Sequence, residues 1–203
     1  MAVIITEYVP FLNMLIISVI FLIIAITVHE YSHALVAYKL GDPTAKIYGR
    51  LSLNPLKHID PLGLLALFIF RIGWGKPIPI DTYNFKNPKR DEILVSLAGP
   101  ASNFILAILT SLVLNTVSLS SFLAFLLSSF IQLNIFLAVF NLLPIWPLDG
   151  SKIFLNLISP SSSYEWQVSM EKYGYLLILV LAYTGILSKV ITLLSTPLLS
   201  FLL

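Results

Sequence analysis

The sequence predicts an α-helical polytopic membrane protein with about four to six membrane helices and a small β element or re-entrant hairpin on its cytoplasmic side. Of the 203 residues, 58% are hydrophobic and only 11% carry charge, whereas roughly a quarter of residues are charged in a soluble globular protein. The apolar residues form runs long enough to cross a bilayer, and the basic residues lie in the segments between them. Such basic segments mark the cytoplasmic side of a membrane protein.

Composition also limits the partners of this chain. The net charge is only +2 and the basic residues are dispersed among loops, so the lipid bilayer is an expected partner and nucleic acid is not. The chain has no cysteine, which excludes disulfides and leaves nitrogen and oxygen atoms to hold any metal. Little length remains for a soluble domain, and we expect residues 1–203 to form a single transmembrane domain.

The first predicted element is a long helix over residues 11–40. The ten residues before it contain no Lys or Arg and include Glu7, and the apolar run is too long for the core of a secretory signal. We therefore expect a retained first span. Gly41-Asp42-Pro43 predicts its end, because Gly favours a helix C-terminus and Pro cannot continue the helix.

The segment after this helix is predicted to lie on the cytoplasmic side. Residues 44–58 are polar and basic, and within them residues 45–53 alternate roughly as a strand does. Residues 61–70 form a short apolar run with basic residues on both sides; ten helical residues span only about 15 Å, so we expect it to dip into the membrane without crossing. Residues 74–80 contain Pro77 and Pro79, which suits an edge strand or a re-entrant hairpin.

Two further spans are predicted at residues 93–114 and 122–143, joined by an uncharged external link. The second ends in a Pro-broken segment, residues 141–150, before Lys152 returns the chain to the cytoplasmic side. From residue 159 a polar loop is expected to reach Lys172, followed by apolar residues interrupted near Gly185. One long span, or a span and a surface helix, both fit this last stretch.

The first helix carries the motif His29-Glu30-Tyr31-Ser32-His33. On a helix the two histidines lie one turn apart on one face, close enough to hold a single Zn²⁺. Glu30 follows the first histidine, where its carboxylate can accept a proton from water as a general base. The motif also arises by chance in soluble helices, but three ionisable groups in a membrane helix cost several kcal/mol unless they are paired or metal-bound.

A catalytic zinc site typically has three protein ligands and one open position. Most acidic residues of this chain lie in loops or near chain ends, whereas Asp149 lies at the cytoplasmic end of a predicted span, at the depth inferred for His29 and His33. Its residue chemistry leaves two interpretations open. Asp149 is either the third ligand or an interfacial turn residue before Gly150, since Asp-Gly is a common turn pair.

Three segments now resemble the signatures of the site-2 proteases, the intramembrane zinc metalloproteases: His29-Glu-Tyr-Ser-His33, Ala98-Gly-Pro-Ala-Ser-Asn103, and Asn141 through Pro144, Pro147 and Asp149-Gly150. The similarity extends over nearly the whole chain. It is to the compact bacterial and archaeal branch, which lacks PDZ and nucleotide-sensing CBS domains.

The resemblance implies one zinc ion per chain, bound by His29, His33 and Asp149, and a water activated by Glu30. It implies hydrolysis of peptide bonds in or near transmembrane segments of membrane-protein or peptide substrates, in the multi-pass cell membrane with the active site toward the cytoplasm. It also suggests that Asn141 positions substrate or stabilises the oxyanion; from chemistry alone this amide can equally cap a helix end.

Two other polar residues are assigned structural roles. We expect Asn103 to bond carbonyls freed by the helix break at Gly99-Pro100. His58, the third histidine, is expected to be a solvated or hydrogen-bonded loop residue, with an extra ligand or a proton shuttle as the alternative.

The main alternative functions are a membrane metal-ion carrier and a catalytically silent homologue that binds membrane proteins. Intramembrane His, Glu and Asp mark ion pathways as well as hydrolytic sites. The sequence shows no inverted repeat of the kind common in transporters, and Glu30 lies between the two histidines. Both features favour the protease.

Overall fold

The residues described by this computed structural model, 2–63, 75–158 and 160–203, are dominated by long helices. In chain order these are α1 (Ala2–Lys39), α2 (Thr44–Ile47), α3 (Pro88–Thr116), α4 (Ser121–Asn141), α5 (Asp149–Leu157), α6 (Pro160–Tyr183) and α7 (Ile186–Leu202). Short 3₁₀ turns lie at Pro55–Lys57 and Thr82–Asn84.

Helices α1, α3 and α4 are long and apolar enough to cross a membrane, which confirms a helical polytopic membrane protein. Helices α6 and α7 pass the same test as a pair, bent by 81°. The bend lies at Gly185, whose φ of +73° suits glycine best. The described residues thus supply three spans, or four if the bent pair is one, the low end of the expected four to six.

The end of α1 agrees with its predicted stop. The helix ends at Lys39 and Gly41 follows with φ +111°. Asp42, fully buried, accepts hydrogen bonds from the Thr44 hydroxyl, the backbone N–H groups of Thr44 and Asp81, and the Asn84 amide. Burial opposes the charged form of Asp42, but these donors outweigh it and hold the pKa of the carboxyl below its ordinary value. These hydrogen bonds connect the loop that follows α1 to Asp81 and Asn84.

Helix α3 is central to the bundle and packs against α1, α4 and α5. Its buried face carries Gly99, Asn103, Ala107 and Ser111 at intervals of four residues. Small residues at this spacing let membrane helices approach closely. An apolar cluster of Ala107, Ile131, Ile135, Val139 and Leu202 joins α3, α4 and the end of α7.

Two predictions about local structure are wrong. Residues 45–53 do not form a strand: Pro43 is already in the right-handed helical region, α2 follows it, and the Arg50 N–H closes back on the Ala45 carbonyl. Local hydrogen bonds therefore outweigh the weak alternation. Among the described residues the β element is a single antiparallel bridge between Ile59 and Gly75.

The expected polar loop from residue 159 to Lys172 is also wrong, because α6 begins at Pro160. Its polar residues include good helix formers, and Gln167 donates to Glu171 one turn on at 2.8 Å. The predicted dip at 61–70 falls largely on residues 64–74, which lie outside the described residues, as does Trp74 of the extended segment 74–80. Residues 75–80 are non-helical, as expected.

Candidate metal centre

His29 and His33 project from one face of α1, as their spacing predicts. Their Nε2 atoms are 3.0 Å apart and the ring centroids are 4.7 Å apart, with the rings close to perpendicular. The two residues are only 7% and 5% exposed. Two imidazole nitrogens thus point at the same buried point beside the α1 surface.

Asp149, the first residue of α5, completes this group from 116 residues farther along the chain. Its Oδ2 lies 3.1 Å from Nε2 of His29 and 3.2 Å from Nε2 of His33. The next residue explains how α5 reaches this position, because a Cβ at Gly150 would lie 2.2 Å from the Leu142 carbonyl oxygen. Only glycine lets the start of α5 fold back so closely against the end of α4.

The three converging donor atoms all lie within 4.8 Å of one another, an arrangement that could hold a metal ion. Two imidazoles and one carboxylate form a donor set that suits Zn²⁺. The backbone of α3 passes directly beside it. A Cβ at Gly99 would lie 2.3 Å from Nε2 of His33 and 2.5 Å from Nε2 of His29. Glycine therefore keeps open the space that a metal ion needs, and the residues present fit zinc.

The other nitrogen of each imidazole is also engaged. Nδ1 of His33 lies 2.6 Å from the carbonyl oxygen of Val95, which can only accept, so this nitrogen carries the proton. Nδ1 of His29 lies 2.6 Å from Oδ1 of Asn103. Both contacts engage Nδ1 and leave Nε2 facing Asp149, and such outer contacts orient histidines that bind metals.

The prediction for Asn103 is therefore wrong about which carbonyl accepts its hydrogen bond. Its amide NH₂ does reach a backbone carbonyl, at 3.3 Å, but that carbonyl belongs to Ala25 of α1 and was not freed by Pro100 within α3. Its oxygen faces His29. The sequence alone suggested a partner within the same helix, because it does not show which other helix packs against Asn103.

Glu30 is fixed by the extended segment of residues 75–80. The Ile78 N–H donates to Oε2 of Glu30 at 3.3 Å. This segment is itself held on both sides, because the Lys76 N–H donates to the His58 carbonyl at 2.8 Å and the buried Arg50 guanidinium donates to the Lys76 carbonyl. The carboxylate thus follows His29 on α1 and is anchored from outside that helix.

Asn141 and His58 do not join the three converging residues. The Asn141 amide donates to the Leu137 carbonyl one turn earlier, at 2.9 Å. His58 is fully buried and its Nε2 donates to the Ser52 carbonyl at 2.6 Å, as expected for a hydrogen-bonded loop histidine but not for a solvated one. Its Nδ1 has no hydrogen-bond partner among the described residues.

An apolar cavity of about 470 Å³ lies between α1, α4, α6 and α7. Its α1 wall includes Ile26 and Thr27, one turn before Glu30, and its α4 wall includes Leu137, one turn before Asn141. Gly75 of the extended segment also lines it. The cavity therefore adjoins the turn of α1 that precedes Glu30.

Sequence reasoning missed Asn134 on α4. This residue is fully buried and its Oδ1 accepts from Nδ2 of Asn103 at 2.9 Å. The available signal was an amide inside an otherwise apolar span, because such a group needs a polar partner in the bundle.

Comparison with known proteins places this geometry in a family. A family model described as Peptidase family M50 matches residues 115–184, the part that contains Asp149. "Putative zinc metalloprotease YwhC" of Bacillus subtilis (strain 168) is 43% identical over 182 residues, which cover 85% of this chain and 83% of that protein. "Putative zinc metalloprotease Rip2" of Mycolicibacterium smegmatis is 33% identical over 182 residues, 82% of this chain and 66% of that protein.

No solved structure matches the chain significantly. The match to the first relative covers most of both proteins. The chain therefore belongs to peptidase family M50, the site-2 protease family that its motifs resemble.

Proposed function

We propose that this protein is an intramembrane zinc metalloprotease that hydrolyses peptide bonds in or near transmembrane segments of membrane-protein substrates. The observation that carries the proposal is the convergence of His29 Nε2, His33 Nε2 and Asp149 Oδ2 beside a membrane helix that also presents Glu30. The relatives named as zinc metalloproteases support the same chemistry. Residues 1–203 act in this proposal as one catalytic domain.

His29, His33 and Asp149 would hold one zinc ion per chain. When bound there, zinc supplies Lewis acidity, which polarises a substrate carbonyl and lowers the pKa of water toward 7. The chain would provide two imidazole nitrogens and one carboxylate, the number of protein ligands typical of a catalytic zinc site.

Glu30 acts as the general base. Its carboxylate accepts the proton of the attacking water and passes it to the leaving amine. The hydrogen bond from the Ile78 N–H occupies Oε2 and restrains the side chain. Oε1 stays on the side of Gly75, because a Cβ built at that glycine would lie 4.0 Å from it.

Asn141 serves the substrate rather than the metal. In the structure its amide bonds Leu137, whose side chain lines the apolar cavity. A rotation of the Asn141 side chain would release its NH₂ donors toward a chain bound there, where they can position a carbonyl or stabilise an oxyanion.

Substrate reaches the site from the bilayer through the apolar cavity. A transmembrane helix hides its amides in hydrogen bonds, so the substrate must unwind near the site. The extended segment of residues 75–80 offers backbone carbonyls with which an unwound strand can pair. In this proposal the site faces the cytoplasm, and the basic residues around the segment support that orientation.

A comparison of two acid-to-amide variants tests the proposal. Purified protein is incubated with a panel of single-span peptides, with and without a chelator, and products are identified by mass spectrometry while zinc is measured on the same samples. Glu30→Gln should retain zinc and lose cleavage by roughly 10²- to 10⁴-fold, the usual contribution of a general base. Asp149→Asn should lose both, because a neutral amide oxygen is a poorer zinc ligand.

Glu171→Gln, on the exposed surface of α6, is the matched control and should behave as wild type. Cleavage by Glu30→Gln at a near wild-type rate would refute the mechanism. Zinc held by Asp149→Asn as tightly as by wild type would remove Asp149 from the ligand set. Zinc without cleavage of any peptide by the wild type would favour the carrier or the silent homologue.

A further inference from the structure

Two buried asparagines connect the metal centre to a helix that carries none of its ligands. Asn103 of α3 and Asn134 of α4 are both fully buried. Asn103 forms a hydrogen bond with His29, and Asn134 forms one with Asn103. A primary amide buried in a membrane helix is costly unless its donors and acceptor are satisfied.

The hydrogen bonds between these residues have one consistent direction. His29 donates from Nδ1 to Oδ1 of Asn103, so the two amide hydrogens of Asn103 go to the Ala25 carbonyl at 3.3 Å and to Oδ1 of Asn134 at 2.9 Å. The Asn134 NH₂ then donates to the Phe130 carbonyl at 2.9 Å.

If the Asn134 amide were rotated by about 180°, its hydrogen bonds with Asn103 and with the Phe130 carbonyl would both be lost. Its NH₂ would face the NH₂ of Asn103, and its oxygen would face the Phe130 carbonyl oxygen. Two repulsive contacts would replace two hydrogen bonds. The Phe130 carbonyl therefore determines the orientation of Asn134, and Asn134 together with the more distant Ala25 carbonyl determines that of Asn103.

We propose that Asn134 is a positioning residue for the metal centre. It holds the Asn103 amide with its oxygen toward His29, which keeps the proton on Nδ1 of His29 and leaves Nε2 as the ligand atom. Outer partners of ligating histidines contribute 10- to 100-fold to metal affinity, and Asn134 acts one bond farther out than Asn103. The inference rests on the proposed role of His29 as a ligand, not on protease activity.

Two substitutions at Asn134 separate positioning from packing. Asn134→Leu keeps the approximate volume but removes the acceptor for Asn103. Asn134→Asp keeps a carbonyl acceptor, and in its protonated form it also keeps a donor for the Phe130 carbonyl. Zinc affinity by competition with a chelator should fall about tenfold in Asn134→Leu and stay within about threefold of wild type in Asn134→Asp.

The imidazole tautomers give a readout that needs neither zinc nor substrate. The chain has only three histidines, so ¹⁵N-histidine spectra of the metal-free protein can resolve each ring. His29 should lose its single Nδ1–H tautomer in Asn134→Leu. His33 should keep its own, because its Nδ1 donates to Val95 and lies outside this chain of amides.

Any one of the following results would overturn the inference: wild-type zinc affinity in Asn134→Leu, an unchanged His29 tautomer, or equal losses in the Leu and Asp variants. Changes in both histidines together with a large fall in Tm would assign Asn134 a packing role and would also overturn it. If Asn134→Leu does not accumulate, Asn134→Ala removes the same acceptor and carries the comparison. A wild-type protein that binds zinc without cleaving peptides would contradict the proposed protease but leave this test intact.

Discussion

Gly99→Ala should empty the metal centre without altering any ligand. The added Cβ would lie 2.3 Å from Nε2 of His33 and 2.5 Å from Nε2 of His29, whereas real Cβ atoms essentially never approach other atoms within 3.0 Å. The shortfall is about 0.7 Å at the closest atom. Zinc–ligand distances tolerate only about 0.2 Å, so a shift large enough to relieve the contact moves the histidines out of coordinating range.

The substitution is mild for the helix itself. Alanine is favoured over glycine in a helix interior by about 1 kcal/mol, so a loss of zinc cannot be attributed to a weakened α3. We expect zinc affinity to fall by about a hundredfold or more, beyond the 10- to 100-fold typical of outer-shell changes. Cleavage of transmembrane peptides should be lost with it.

Metal content by mass spectrometry and affinity by chelator competition measure the effect on purified protein. Ala101→Ser, at an exposed position of the same helix, is the control and should retain about one zinc per chain. Thermal melting of the metal-free forms shows whether the fold survives. Full zinc occupancy in Gly99→Ala, with wild-type affinity, would refute the inference that Gly99 keeps open the space for the metal ion.

The remaining predictions concern the ligand, the orientation and the acid stability. His33→Ala should lose most bound zinc while the metal-free protein still folds; full occupancy by elemental analysis would remove His33 from the ligand set. Cysteines introduced at Lys46 and Lys86 of this cysteine-free chain should resist impermeant thiol reagents in intact cells and label after lysis, and labelling of only one in intact cells would mean that residues 61–70 cross the membrane. Asp42→Asn should lower Tm at pH 7 and flatten its dependence on acid. The folded pKa of Asp42 lies below its unfolded value of about 3.9, so its contribution is fully present above that value and is lost as pH falls through the folded pKa. Melting curves from pH 7 to pH 3 that run parallel for the two proteins would contradict this.

Local periodicity was enough to predict the spans and the paired histidines. His29 and His33 face the same way on any α-helix, because four residues make slightly more than one turn. The end of α1 near Gly41 was equally local, since a glycine with positive φ and a following proline act within a few residues. Weak alternation over residues 45–53 was not enough, because nearby hydrogen bonds formed a helical turn instead.

Contacts between residues that are far apart in the sequence became visible only in the tertiary structure. Residue chemistry left Asp149 open between ligand and turn, and its position depends on Gly150 letting α5 pack against the end of α4. An amide within an apolar helix indicates that a polar partner exists but not which helix supplies it, so Asn103 was assigned the wrong carbonyl and Asn134 was missed. Spacing along one helix specifies direction, whereas the meeting of α1, α3, α4 and α5 depends on packing between surfaces that no local pattern encodes.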